Sequence, residues 1–217
     1  MLWPALCVLI VSACSNTDAS HTKDAPPNQP TNHPTIKWKI NYDDANAQVG
    51  TSPPEWKVTA WDGSKPMTLA SLRGKVVFVR FWTNTCPFCR ASLPAIEQLA
   101  KEFAGKPVVF VGLYHAKPRN SPNPWPAAVK TARSWGTTFA LGYDKDWATL
   151  ESWTRNYNMR ATSISFILDA NGKVAHMHPG PVFHPSTDPA HARDDRDFKR
   201  IQAVIRRELT KPTTLAR

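Results

Sequence analysis

Cys86-Pro87-Phe88-Cys89 stands directly after an apolar, strand-like run, Val76-Val77-Phe78-Val79-Arg80-Phe81-Trp82. It stands directly before a helix-like one, Ala91-Ser92-Leu93-Pro94-Ala95-Ile96-Glu97-Gln98-Leu99-Ala100. A CxxC pair at a strand-to-helix junction is what a dithiol redox site requires. Of the four cysteines in the 217 residues, Cys7 and Cys14 lie in an N-terminal apolar segment, which leaves Cys86 and Cys89 as the only thiols in the part expected to fold. At a helix start Cys86 meets unsatisfied backbone N–H groups and the positive end of the helix dipole, which lower its pKa. Pro87 suits the first helical turn, where its missing N–H is not needed. Cys89 comes about one turn later on the same face, placed to close a disulfide. The chemistry this supports is attack of the Cys86 thiolate on a disulfide, followed by resolution of the mixed disulfide by Cys89.

The surrounding pattern supplies a frame for that site. Residues 56–61 alternate apolar and polar side chains before Asp62-Gly63, which predicts a strand and a turn. The nearly continuous apolar run 76–82 suits a strand covered on both faces. A helix is expected to about Phe103, ending at Gly105, then a second buried strand over 108–113, which together make a βαβ unit. Residues 117–126 carry four prolines and read as a loop. Helices are expected over 127–135 and 147–157, with a short strand at 139–141 between them. Strands 165–168 and 173–176 flank Asn171-Gly172, a hairpin turn signal. Residues 179–189 are a second Pro- and His-rich loop, and Phe198, Ile201, Val204 and Ile205 recur at helical spacing.

In this order the elements resemble the thioredoxin fold, an α/β three-layer architecture with a central mixed sheet flanked by helices. In detail the chain resembles the exported TlpA/ResA-type thioredoxin-like thiol-disulfide oxidoreductases. The resemblance rests on Phe81-Trp82-Thr83-Asn84-Thr85-Cys86-Pro87-Phe88-Cys89-Arg90 and on Leu93-Pro94, and it covers roughly residues 50–210. Thr83 and Tyr114-His115-Ala116 are similar to the thioredoxin-like domain of DipZ-type proteins. The resemblance implies Cys86 as nucleophile, Cys89 as resolving cysteine, a redox-active Cys86–Cys89 disulfide, and substrate contacts from Trp82, Pro87, Phe88, Thr162 and Ser163. It also implies disulfide-containing extracytoplasmic proteins as substrates and a membrane or periplasmic thiol as electron donor, with no cofactor.

Two positions depart from the family pattern. Ala161-Thr162-Ser163-Ile164-Ser165-Phe166 matches the loop that faces the cysteines, and Ser163 replaces its cis proline. A cis bond before serine costs about 2.5–4 kcal/mol, so a trans bond is expected. Arg80 stands where thioredoxins place a buried Asp. It either reaches the cysteines and favours the thiolate, or extends to solvent at the strand end.

The N-terminus points to export. Leu2 to Ala13 carries no charge and is shorter than the roughly 20 apolar residues of a membrane span. Val11-Ser12-Ala13-Cys14 resembles a bacterial lipobox, which implies a signal peptide over 1–13, a lipid anchor on Cys14, and the periplasmic side of the envelope, with Ser15 favouring the outer membrane. An ordinary secretory signal is the alternative, and either one makes disulfide chemistry possible. Residues 14–49 read as a flexible tether and 50–211 as one thioredoxin-like domain. The net charge of +10 is spread along the chain with no basic run interleaved with aromatics, which argues against nucleic acid.

Three other chemistries use the same residues. Two cysteines at this spacing are half of a zinc site that His176, His178, His184 and His115 would have to complete. Soft thiolates with an imidazole suit copper, so Cys86, Cys89 and His178 form a candidate copper-delivery trio. Thr83 and Thr85 beside Cys86 raise a thiol peroxidase. Trp125, Trp135, Trp147 and Trp153 are expected to pack the core and its rim.

Overall fold

The structure, a computed structural model, describes His33, residues 39–122 and residues 124–212. The proposed signal segment 1–13, the Cys14 anchor and most of the tether lie outside the described residues. No helix among those described is long and apolar enough to cross a membrane.

Strand β2, Val76–Trp82, is buried at all seven positions, as an uninterrupted apolar run demands. It runs parallel to β3, Val108–Tyr114, and antiparallel to β5, Ser165–Leu168. With β1 (Trp61–Asp62), β4 (Ala140–Tyr143) and β6 (Val174–His178), these make a six-stranded mixed sheet in the order β1-β4-β3-β2-β5-β6. Helix α2, Pro87–Glu102, crosses from β2 to β3, and α5, Ala192–Thr210, returns over the same face. Their Leu93, Ile96, Leu99, Phe198, Ile201 and Ile205 pack on Phe78, Trp82 and Phe110 of the sheet. On the opposite face Val77, Val79, Phe81, Val111 and Phe166 are covered by Trp56, Leu69, Leu150 and Trp153, the last two from α4, Ala148–Trp153. Burying each such side chain contributes about 1.5–3 kcal/mol. The result is the expected three-layer α/β architecture.

Local competition for hydrogen bonds explains where the elements differ from the sequence pattern. Of the alternating run 56–61 only Trp61 enters a strand, Trp61–Asp62 on β4, because the Lys57 amide donates instead to the Thr149 hydroxyl at 2.8 Å and the Trp56 indole donates to the Met67 carbonyl at 2.7 Å. Helix α3, Trp125–Ser134, begins ahead of residue 127, with Pro126 in its first turn. The helix expected over 147–157 contracts to α4, since the buried Asp144 carboxylate accepts the Thr149 and Leu150 amides at 2.7 and 2.9 Å, and Trp147 takes a left-handed conformation (φ 62°). Strand β6 continues to His178, past the expected residue 176, and α5 begins at Ala192, ahead of Phe198.

The folded body also starts before residue 50, which corrects the expected tether boundary. Helix α1, Tyr42–Asn46, is capped by the Asn41 side chain, which accepts from the Asp43 and Asp44 amides, and it buries Ala45. Its Tyr42 hydroxyl donates to Asp197 Oδ2 at 2.9 Å, and Gly50 and Thr51 bond the backbone of Val174. Asp197 in turn accepts from His178 Nε2 at 3.1 Å, so one carboxylate joins α1, β6 and α5.

Tyr42→Phe should therefore lower the unfolding free energy by about 1.5–3 kcal/mol, the range for a hydrogen bond to a charged group. Urea unfolding followed by tryptophan fluorescence measures it, and an unchanged midpoint would remove α1 from the folded unit.

Candidate active site

Cys86 is the N-cap of α2 and Pro87 follows within its first turn, as the sequence implies. Cys86 is half-buried, whereas Cys89 is fully enclosed. The two thiols hydrogen-bond each other, and this bond is the largest reason the Cys86 pKa falls, from an ordinary 9.0 to about 5. Desolvation opposes the fall, while the Cys89 amide, the Ser163 hydroxyl and the charge of Arg80 assist it. Cys89 moves the other way, held well above the usual thiol range by burial and then by the neighbouring Cys86. One accessible sulfur is thus an anion at neutral pH, and its partner keeps its proton.

Of the two readings open for Arg80, the fold excludes extension to solvent, since the side chain is fully buried. Its position explains this, because β2 is the central strand and residue 80 sits beside Gly112 of β3 and Ser165 of β5. A side chain at Gly112 would meet Leu141 at 2.9 Å and the Trp82 indole nitrogen at 3.2 Å, so glycine lets the strands close over this layer. The guanidinium donates to Ser165 Oγ at 3.1 Å and to the Pro181 carbonyl, and lies 5.3 Å from the centre of the Phe183 ring. Burial lowers the Arg80 pKa, and the two cysteines oppose that by favouring the cation.

Ser163 occupies the position facing the cysteines. The Thr162–Ser163 bond is trans, since Lys117–Pro118 is the one cis bond among the described residues. The Ser163 hydroxyl lies 3.1 Å from Cys89 Sγ and 3.7 Å from Cys86 Sγ, so the departure from proline places a donor between the two sulfurs. Two clefts flank Cys86. One, of about 290 Å³, is lined by Pro87, Phe88, Lys117, Arg160, Thr162 and Ser163 among others. The second, of about 400 Å³, is lined by Asn84, Thr85, Arg90 and Trp135. Of the residues expected to touch substrate, Pro87, Phe88, Thr162 and Ser163 share the first cleft. Trp82 does not, being wholly buried against Tyr114 and Trp135. Lys117 and Arg160 escaped sequence reasoning because they lie in loops without periodicity, and only the fold brings them into one cleft with Cys86.

The metal trio does not assemble. His178 is buried and committed to Asp197, and among the described residues no cluster of three or more candidate ligands includes Cys86 or Cys89. His176 and His178, two residues apart on β6, are both buried. Burial first, then nearby cations, hold His115 and His176 down to about 3, so both rings are neutral at physiological pH. His115 packs against Trp147 with ring centres 5.1 Å apart. The tryptophans serve packing: Trp125 stacks on Tyr143, Trp147 donates to the Ala116 carbonyl at 2.7 Å and Trp153 to that of Pro54 at 2.9 Å.

Comparison with known proteins agrees with this geometry. Residues 48–193 match the family described as Redoxin. Protein DipZ of Mycobacterium bovis is 31% identical over 146 residues, covering 64% of this chain but 20% of DipZ, so the chain spans about a fifth of that relative. The thioredoxin-like protein YneN of Bacillus subtilis is 29% identical, covering 62% of this chain and 74% of YneN. The thiol-disulfide oxidoreductase ResA of Geobacillus kaustophilus is 26% identical, covering 62% and 71%. A thiol-disulfide isomerase from Corynebacterium glutamicum shares the fold with a TM-score of 0.54 at 17% identity, over 74% of this chain and 97% of that one. A thioredoxin-family thiol:disulfide interchange protein from Chlorobium tepidum does so with a TM-score of 0.50 at 25% identity, over 73% and 96%. With the CxxC motif at the helix start, its facing loop and the sheet order all in place, the chain belongs to the Redoxin family, as a thioredoxin-like protein of TlpA/ResA type.

Proposed function

We propose that the chain is a thiol-disulfide oxidoreductase that reduces or exchanges disulfides in extracytoplasmic proteins, anchored by lipid at Cys14 to the periplasmic side of a bacterial envelope. The carrying observation is the division of labour between the thiols: a half-buried Cys86 with a pKa near 5 and a buried, protonated Cys89. Relatives named for thiol-disulfide oxidoreduction support the reading, as does the exported character of the N-terminal sequence.

The Cys86 thiolate attacks one sulfur of a substrate disulfide, forming a Cys86–substrate disulfide and releasing the other sulfur as a thiolate that takes a proton from water. Cys89 then loses its proton and attacks Cys86 Sγ, closing Cys86–Cys89 and releasing the second substrate thiol. Two electrons have passed to the substrate, and an external dithiol donor must return them. Burial resists ionisation of Cys89, while the charge of Arg80 and the Ser163 hydroxyl, 3.1 Å from Cys89 Sγ, favour it. Lys117 and Arg160 give the cleft beside Ser163 a cationic rim, which suits a substrate strand with acidic residues near its cystine.

The rate of Cys86 alkylation should rise with pH to a plateau with a midpoint near 5, and a midpoint near that of a free thiol, about 8.5, would remove the activated nucleophile. The same depressed value adds stability to the reduced fold that is fully present above the unfolded thiol's pKa and fades as pH falls through about 5. In insulin reduction Cys86→Ser should be inactive and Cys89→Ser should accumulate the mixed disulfide, whereas equal turnover by both would reject the assigned roles.

Arg80→Met and, separately, Ser163→Ala should each move the alkylation midpoint upward. Because both groups favour the thiolate, each loss should also make the Cys86–Cys89 potential more negative, by about 30 mV for every tenfold loss of thiolate stabilisation. Equilibration with glutathione buffers measures this, and unchanged potentials in both variants would show that neither group acts on the dithiol.

A further inference from the structure

Away from the dithiol, three imidazoles and a carboxylate converge where the chain before α1 meets the loop between β6 and α5. His33 Nε2 lies 3.0 Å from His184 Nε2 and 3.5 Å from Asp194 Oδ2. His184 Nε2 and His191 Nδ1 lie 3.6 and 3.1 Å from the same carboxylate oxygen. All four atoms fall within 4.8 Å of one another, and the side chains are 3%, 1%, 11% and 5% exposed for His33, His184, His191 and Asp194. A tetrahedral ion with bonds of about 2.0–2.1 Å sets its ligands about 3.3–3.4 Å apart. The four separations bracket that edge.

The proton inventory points the same way. His184 Nδ1 lies 3.0 Å from the Pro185 carbonyl, which only accepts, so Nδ1 carries a proton. In the neutral ring Nε2 is then a bare lone pair, and it faces an anionic oxygen and a second imidazole nitrogen. A cation among these atoms would take up that lone pair and the carboxylate charge together, and a carbonyl holding the outer N–H is the usual means of orienting a metal-bound histidine. Asp194 Oδ1, also buried, has no hydrogen-bond partner. The backbone is fastened around the cluster: the His184 amide donates to the Asp194 carbonyl, the Ser186 amide to Asp195 Oδ1 at 3.2 Å, and Asp188 caps the short turn that ends at His191. An opening of about 300 Å³ lined by His33, His191, Asp194 and Arg196 offers a way in.

We propose that His33 Nε2, His184 Nε2, His191 Nδ1 and Asp194 Oδ2 form a tetrahedral site for a zinc-class divalent ion that clasps the chain at residue 33 to the β6–α5 loop. Three imidazoles select zinc and its first-row neighbours over magnesium or calcium. Four protein ligands leave no open position, so the ion is structural. The clasp adjoins the redox motif, because the His33 ring meets the edge of Phe88 with centres 5.7 Å apart. The site is separate from the dithiol and does not depend on its chemistry.

The test uses the full chain with Cys86 and Cys89 oxidised to the disulfide, so that thiolates cannot bind metal. After chelator treatment, calorimetric titration with Zn²⁺ should give one ion per chain and raise the melting temperature. Co²⁺ substitution should give tetrahedral visible bands without a sulfur charge-transfer band. His191→Ala and His184→Ala should each abolish stoichiometric binding and the thermal shift, whereas Cys86→Ser should retain both. Should His184→Ala fail to fold, His191→Ala on the more exposed ligand and the Co²⁺ spectrum of the unaltered chain still decide. No stoichiometric binding, binding that survives His191→Ala, or an octahedral cobalt spectrum would each overturn the site and leave an imidazole–carboxylate hydrogen-bond cluster.

Discussion

A guanidinium with no solvent exposure sits in the central strand of the sheet, and the region around it is organised to make that tolerable. An isolated buried charge costs far more than any one hydrogen bond returns. Arg80 is met by the Ser165 hydroxyl, the Pro181 carbonyl, the face of Phe183 and, on the side of α2, the two thiols. The thiols gain from the same arrangement, since a cation in a dry layer favours their anions more strongly than it would in water. Charge and nucleophile are mutually stabilising, so the strand that carries one and the helix that carries the other are tied by more than packing.

This changes the electrostatics of a familiar scaffold without changing its geometry. An acid at the position of Arg80 can accept a proton from the inner cysteine, whereas a guanidinium cannot; it acts only as a fixed positive field. Proton removal from Cys89 must therefore go elsewhere, and the Ser163 hydroxyl, 3.1 Å from Cys89 Sγ and 3.7 Å from Cys86 Sγ, is the polar group that touches both sulfurs. The loss of the proline and the gain of the arginine are thus two halves of one environment, with donors and positive charge supplied from both sides of the dithiol.

The segment before the sheet takes part in the fold to a degree its composition conceals. Tyr42 reaches Asp197, Gly50 and Thr51 extend the edge of β6, and His33 lies among the ligands at the start of α5. Each contact falls on β6, α5 or the loop between them, and the His33 ring meets Phe88, which lines the first cleft.

Much of the site was legible before any coordinates. The CxxC motif between an unbroken apolar run and an amphipathic helix is local information, and helix-start chemistry at Cys86 follows from neighbours in sequence. Strand β2, helix α2 and the Asn171-Gly172 hairpin were readable for the same reason, because period and turn chemistry act over a few residues. The alternating run 56–61 misled because the Lys57 amide is claimed by the Thr149 hydroxyl, far along the chain. Whether Arg80 faced the dithiol or water, that Trp82 is sealed from substrate, and that His178 belongs to Asp197 rather than to the cysteines were decided by which strands lie beside β2 and β6. The same holds for His33 meeting His184, His191 and Asp194: spacing records what is near along the chain, and only the packing of distant segments determines which charges and lone pairs must answer one another.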